Sequence, residues 1–114
     1  MAYPVVHFEV TGKDLGTLQS FYTGLFGWEV DEHPEMNYTI VKKEGEGIGG
    51  GIGQDPEGRT SVTFYVACDD IQATLDRAAE LGATVIMPVT ELPMVTLAMF
   101  ADPEGNAIGL VKGM

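Results

Sequence analysis

Hydrophobic and polar residues alternate along two short stretches of the chain, residues 6–10 and 62–66, which align at an offset of 56 residues. This period of two predicts half-buried β-strands. Each stretch is followed by an acidic residue that can cap a helix, Asp14 or Asp70, and then by apolar residues at helical spacing. Gly27 and Gly82 mark the predicted helix ends. The pattern therefore predicts one supersecondary unit present twice.

Three further strands follow each predicted helix. The order βαβββ, repeated, predicts an α+β fold in a single domain, residues 1–114, with module one at 1–57 and module two at 58–114. The predicted strands are residues 4–11, 28–31, 38–43 and 48–53 in module one, and 60–67, 84–89, 94–100 and 107–112 in module two.

Composition narrows the possible partners. The chain of 114 residues has a net charge of −11 and only six Lys and Arg residues, so it lacks the basic surface that nucleic acid or an anionic membrane would need. The acidity suits solubility and could also attract a cationic ligand. The absence of a leader pattern or long apolar run, with one cysteine, predicts a cytoplasmic protein.

Strand parity predicts which side chains share a face of the sheet. Val6, Phe8 and Val10 should pack under the helices, as should Val62, Phe64 and Val66. The opposite face should then carry the candidate site. Its predicted ligand-binding residues are His7, Glu9, Thr63, Tyr65 and Gly109.

His7 and Glu9 are the candidate catalytic residues. Two positions apart on a strand, they lie on one face, roughly 6–7 Å apart at the backbone. This spacing suits a general-base pair, a histidine oriented by a carboxylate, or two metal ligands. A buried histidine satisfied by a neighbouring acid is the structural alternative. Tyr65 could hydrogen-bond a ligand or simply fill the cavity.

A glycine-rich segment, residues 45–50, matches the GxGxxG pattern of dinucleotide-binding loops. That motif functions where it opens a helix whose N-terminus holds the pyrophosphate. Residues 51–56, Gly-Ile-Gly-Gln-Asp-Pro, form a poor helix. The glycines are therefore interpreted as leaving space in a cavity or allowing close backbone approach.

Several of these segments together resemble the vicinal oxygen chelate superfamily, which includes glyoxalase I, bleomycin-resistance proteins and extradiol dioxygenases. The resemblance lies in residues 5–10, Val-Val-His-Phe-Glu-Val, in residues 21–28, Phe-Tyr-Thr-Gly-Leu-Phe-Gly-Trp, and in residues 100–106, Phe-Ala-Asp-Pro-Glu-Gly-Asn. It implies paired βαβββ modules that form a curled mixed sheet around a small-molecule cavity, commonly in a homodimer.

Metal-using members of that superfamily take their ligands from the first and last strands of each module. Only His7 matches such a position. Thr63, Gly109 and the glycines at 49–51 stand at the other three. A divalent metal needs three or four protein donors, so no metal is expected. The alternative is Zn, Mn, Fe or Ni bound with help from a partner chain.

Three functions remain open from the sequence. The first is a metal-free small-molecule-binding protein of the glyoxalase/bleomycin-resistance type, with a cationic or amphipathic ligand. The second is a glyoxalase-like lyase or isomerase that uses His7 or Glu9 as general base, with or without a metal. The third is a structural module without a ligand. A homodimer is expected, because a second chain could cover open sheet edges.

Overall fold

The computed structural model describes residues 2–113, which contain two α-helices, eight strands and one short 3-10 helix, Pro34–Met36. The α+β class and the two βαβββ modules predicted from the sequence are confirmed. The first module consists of β1 (Val5–Gly12), α1 (Leu15–Phe26), β2 (Val30–His33), β3 (Tyr38–Val41) and β4 (Gly49–Gln54). The second consists of β5 (Ser61–Ala67), α2 (Ile71–Glu80), β6 (Thr84–Glu91), β7 (Thr96–Ala101) and β8 (Ala107–Lys112).

The chain divides into two compact units. The N-terminal unit is His7–Val62, and the C-terminal unit is residues 63–113 with residues 2–6. Strand order in the N-terminal unit is β2-β3-β4-β1, with β1 and β4 parallel. In the C-terminal unit it is β6-β7-β8-β5, with β5 and β8 parallel. The same order and the same parallel pair in both units confirm the duplication.

Both helices begin at the aspartates that the sequence predicts. The Asp14 carboxylate accepts a hydrogen bond from the backbone N–H of Thr17 at 3.1 Å, and Asp70 accepts one from Ala73 at 2.9 Å. These bonds satisfy backbone donors that a helix leaves without partners in its first turn. Helix α1 ends at Gly27, whose φ of 69° is readily adopted only by glycine.

The two units build their apolar interiors differently. In the N-terminal unit Trp28 lies between Phe8 of β1 and Tyr22 of α1, with ring centroids 5.2 and 5.5 Å away. In the C-terminal unit α2 buries aliphatic residues against the sheet. That cluster contains Cys68, Ile71, Leu75, Ala98 and Leu110.

Side chains on β1 and β5 point to the predicted faces of the sheet, but not all of them are buried as predicted. Phe8 and Val66 do lie on the helix side of their strands, against Trp28 and the α2 cluster. Val62 is 78% exposed and Phe64 is 40% exposed, so the prediction that both pack under a helix is wrong. Leu25 and Leu81 at the helix ends are also exposed.

The glycine-rich segment leads into a strand. Residues 49–54 are β4, paired with both β1 and β3, and no helix follows the GxGxxG-like sequence. The dinucleotide-loop pattern is therefore coincidental, as the sequence indicated. In the described part of the chain, neither helix has the length or apolar character needed to cross a bilayer.

Candidate functional site

His7 and Glu9 are joined by a residue from another strand, Tyr38. The Tyr38 hydroxyl lies 2.9 Å from Nε2 of His7 and donates a 2.8 Å hydrogen bond to Glu9. The imidazole and phenol rings are near-parallel, with centroids 6.5 Å apart. The two candidate catalytic residues thus belong to one hydrogen-bonded group, which we call the His7–Tyr38–Glu9 triad.

Tyr38 reaches β1 by crossing the glycine strand. In the order β3-β4-β1, two strand spacings of about 4.8 Å separate Tyr38 from its partners. Gly51 is the register partner of Glu9, and a Cβ atom there would overlap the Tyr38 hydroxyl. A Cβ at Gly53 would lie only 3.1 Å from the Tyr38 ring. The glycines of β4 therefore make room for a tyrosine side chain.

Burial sets the protonation of His7. The residue is 6% exposed, and removal from water disfavours the charged imidazolium, which lowers the pKa of His7 below its ordinary value. The imidazole is therefore neutral near pH 7. A neutral imidazole has one N–H donor and one acceptor nitrogen, which suits it to accept a proton or a hydrogen bond.

The other three predicted site residues lie together in the C-terminal unit. Thr63 and Tyr65 are buried on β5, and Gly109 is the register partner of Tyr65 on β8. The Thr63 hydroxyl donates a hydrogen bond to the carbonyl of Ala107. The Tyr65 ring occupies the space that a side chain at Gly109 would need. In each unit, a tyrosine therefore lies over a glycine of the last strand.

A shallow cleft of about 400 Å³ lies elsewhere in the C-terminal unit. It is lined by residues of α2 and of the strands beside that helix, among them Ala73, Arg77, Leu81 and Phe100. It contains none of the predicted site residues. The cleft is lined mostly by apolar atoms, and it lacks the convergent polar groups that mark a specific small-molecule site.

The donor groups do not fit a divalent metal. Among residues 2–113, no three His, Cys, Asp or Glu side chains are grouped closely enough to hold an ion. Tyrosine rings lie over Gly109, where the resemblance places a carboxylate, and over Gly51, one of the three glycines among which the corresponding position of module one falls. Nε2 of His7 is already hydrogen-bonded to Tyr38. A mononuclear site needs three or four donors.

Sequence reasoning missed Tyr38. It treated the residue only as the start of a strand, because strand alternation describes neighbours on one strand and not contacts two strands away. A signal was present in the alternate glycines of β4, Gly49, Gly51 and Gly53, which share one face. A strand face without side chains predicts that a large side chain from a neighbouring strand lies across it.

The fold is that of a glyoxalase-type domain. The family model described as "Glyoxalase-like domain" matches residues 7–111, and the chain belongs to that family. The resemblance noted from the sequence is thereby confirmed.

The chain is also similar to curated proteins. The anthracycline biosynthesis protein DnrV of Streptomyces peucetius is 31% identical over 90% of this chain and 44% of its own length. The chain thus spans less than half the length of the curated relatives it matches.

Two solved structures share the fold at low identity. A glyoxalase/bleomycin resistance protein/dioxygenase superfamily member from Vibrio splendidus 12B01 is 19% identical, with a TM-score of 0.70 over 97% of this chain and 99% of that one. A variant methylmalonyl-CoA epimerase of Streptomyces coelicolor, in complex with 2-nitronate-propionyl-CoA, is 13% identical. Its TM-score is 0.67 over 99% of this chain and 96% of that one.

Proposed function

We propose that this domain binds a small molecule without a metal, and that the His7–Tyr38–Glu9 triad recognises a polar group of the ligand. The observation that carries the proposal is the triad itself. Three hydrogen-bonding side chains converge on the sheet face away from α1 and its aromatic cluster. A few fixed polar groups on a concave or apolar scaffold are the usual basis of ligand orientation.

Charge favours a cationic or amphipathic ligand. The net charge of −11 attracts cations and repels polyanions such as coenzyme A. The Glu9 carboxylate adds a local acceptor for an ammonium or hydroxyl donor. Membership in a family whose relative DnrV has a role in anthracycline biosynthesis supports a small organic ligand.

The test is calorimetric titration with matched ligand pairs, such as cationic amphipathic antibiotics and their uncharged or anionic analogues. Ligand at one hundred times its Kd should raise the free energy of unfolding by about 2.7 kcal/mol. Glu9→Gln should weaken cation binding. Glu57→Gln, which removes an exposed charge outside the triad, serves as the matched control. Absence of binding across the panel would favour the structural module without a ligand.

A second candidate is catalysis by His7 as general base. It is favoured by the lowered pKa of His7, which keeps the imidazole neutral, and by the hydrogen bond that orients it. The reaction class would be proton abstraction next to a carbonyl, as in a lyase, isomerase or epimerase. In such an enzyme His7→Ala abolishes turnover while the melting temperature changes by a few degrees. Full activity of that variant would exclude the mechanism.

Metal content is tested separately from activity. Mass spectrometry of purified protein for Zn, Mn, Fe and Ni should find less than stoichiometric metal, and chelator treatment should leave ligand binding unchanged. Stoichiometric metal lost in His7→Ala would contradict the metal-free proposal and would point to donors from a second chain.

The proposed assembly is a homodimer in the cytoplasm. Helix α1 has no charged residue in a strongly acidic chain, and Phe21, Leu25 and Phe26 on it are exposed. Two like-charged copies would associate through such an uncharged apolar surface. Light scattering should give about twice the chain mass, and Leu25→Glu should reduce it to one. A monomeric wild-type protein would contradict the proposal.

A further inference from the structure

We propose that the apolar cleft beside α2 binds the last turn of α1 from a second copy of this chain. This contact rests on the homodimer proposed above, and it identifies the surface that the exposed end of α1 meets. Because each copy has both surfaces, a two-fold dimer contains the contact twice, once from each α1.

The last turn of α1 presents an apolar surface to solvent. Leu25 and Phe26 are 61% and 56% exposed, and Phe21, one turn earlier, is 57% exposed. Residues 21 and 25 are four apart, which places them on one face of the helix. The core of a protein interface is depleted of charged residues and enriched in aromatic ones, and α1, Leu15–Phe26, meets both conditions.

The cleft provides a concave apolar surface of suitable size. Helix α2 packs mainly against β6 and β7, so Val66 of β5 remains at the wall of the cleft, together with Tyr3 and Phe100. Leu81 at its edge is 63% exposed. The volume of about 400 Å³ accommodates apolar side chains of a helix end, which need no convergent polar groups.

Charge complementarity favours the end of α1 as the occupant. Of the described residues that line the cleft, Arg77 is the only cation, and its side chain is 66% exposed. Helix α1 has no basic residue in its last turn, although its C-terminal carbonyls carry partial negative charge. The guanidinium of one copy would therefore complement the helix end of the other.

Arg77 keeps donors for such a contact. Its Nη1 lies 3.2 Å from Oε1 of Glu80 in an exposed ion pair, which contributes little stability by itself. A guanidinium has five N–H donors in a planar fork, so the pair with Glu80 orients the group without exhausting it. Glu80→Gln consequently separates the effect of the ion pair from that of the cleft.

The experiment is complementation between two variants, followed by light scattering. Leu25→Glu and Leu81→Glu should each have the mass of one chain, because both contacts of either homodimer then place a carboxylate in an apolar surface. The carboxylate introduced at position 81 also competes for Arg77, four residues earlier. An equimolar mixture should recover dimers, since the α1 of one variant and the cleft of the other are wild type.

Cross-linking gives a second readout that does not depend on weakening the dimer. The native Cys68 is buried, so a bismaleimide should react with cysteines introduced on the surface. A mixture of Leu25→Cys and Leu81→Cys chains should yield cross-linked dimers, whereas neither variant alone should. Cross-linking of Leu25→Cys to itself would show that α1 pairs with α1, and would overturn the proposal.

Charge and control variants complete the test. Arg77→Glu should raise the dimer Kd about tenfold, whereas Glu80→Gln should leave it unchanged. Met94→Glu, at a position 86% exposed and outside both surfaces, should remain dimeric. A dimeric Leu81→Glu protein would overturn the cleft contact and leave the homodimer standing, whereas a monomeric wild-type protein would overturn both. Ligand binding, measured by calorimetry, is a separate result.

Discussion

Tyr65 covers Gly109, its partner across β5 and β8, as Tyr38 covers Gly51 in the other unit. In both units a glycine without a side chain and a tyrosine ring form a matched pair. The space above each of these glycines is thereby filled by a phenol ring.

The contact between Tyr38 and Gly51 predicts that adding a single methyl group at position 51 will destabilise the protein. Gly51→Ala should destabilise the protein by about 1–3 kcal/mol, because its methyl group overlaps the Tyr38 hydroxyl and the site is buried. Urea denaturation of the variant measures this change.

Gly24→Ala is the matched control for that prediction. Gly24 lies within α1, and no neighbouring atom lies within 4 Å of the place that an added Cβ would occupy. Alanine there should therefore stabilise the protein by about 0.5–1 kcal/mol through helix propensity. Adding Tyr38→Ala to Gly51→Ala should recover part of the loss, giving a non-additive double-mutant cycle. Additive effects would contradict direct overlap.

His7 predicts a loss of stability in mildly acid solution. Burial lowers its pKa in the folded state, so the unfolded chain takes up the proton first as the pH falls through about 6.5. The free energy of unfolding should therefore decrease between pH 7 and pH 5. In His7→Gln this part of the slope should disappear, whereas His33→Gln should retain it. An unchanged slope in His7→Gln would show that His7 does not titrate in this way.

The two Asp-Pro-Glu-Gly turns predict a second decrease in the free energy of unfolding at lower pH. The Asp102 carboxylate accepts hydrogen bonds from the Asn106 side chain and from the backbone of Asn106 and Glu104, and these bonds lower the pKa of Asp102. The stabilisation is present above the unfolded pKa of about 4 and is lost as the pH falls through the lower folded value. Asp102→Asn should reduce the pH dependence of the urea midpoint in that range.

Asp55 provides an internal comparison for the same experiment. Its carboxylate accepts bonds from the backbone and side chain of Arg59, which lower the pKa of Asp55. Because the two turns belong to different units, Asp55→Asn and Asp102→Asn should reduce the pH dependence additively. Strong non-additivity would show that the turns do not act independently.

Two leucines, each on the apolar stripe of its own helix, differ in burial. Substituting them with alanine should therefore cost different amounts of stability. Leu75 on α2 is 3% exposed, whereas Leu25 on α1 is 61% exposed. Leu75→Ala should cost about 2–5 kcal/mol through lost contacts and a residual cavity. Leu25→Ala should change the free energy of unfolding by about 0.5 kcal/mol or less in the monomer. Equal losses would mean that α1 is covered in solution.

The fold was predictable because its signals are local. Asp14 and Asp70 indicate the helix starts, and period-two alternation indicates β1 and β5, so the duplicated unit follows from neighbouring residues. The exposure of Val62 and Phe64 was not predictable. Alternation shows which residues share a face, but whether a helix covers that face depends on packing between elements.

The candidate site was predictable only in part, for the same physical reason. His7 and Glu9 share a strand, so their common face follows from spacing alone. Their contact with Tyr38 depends on a strand order, β3-β4-β1, that brings distant segments together. Which of the five predicted residues act on a ligand stays a prediction.

On the candidate-site face of each unit, a tyrosine ring fills the space left by a glycine: Tyr38 lies over Gly51 of β4, and Tyr65 lies over Gly109 of β8. Because these glycines have no side chain, one aromatic ring in each unit fills the volume above them. Tyr38→Ala or Tyr65→Ala would open a ring-sized vacancy without moving a strand. The scaffold is thus suited to laboratory evolution toward binding of bulkier compounds, with Tyr38 and Tyr65 as the two positions at which a smaller side chain would enlarge the space.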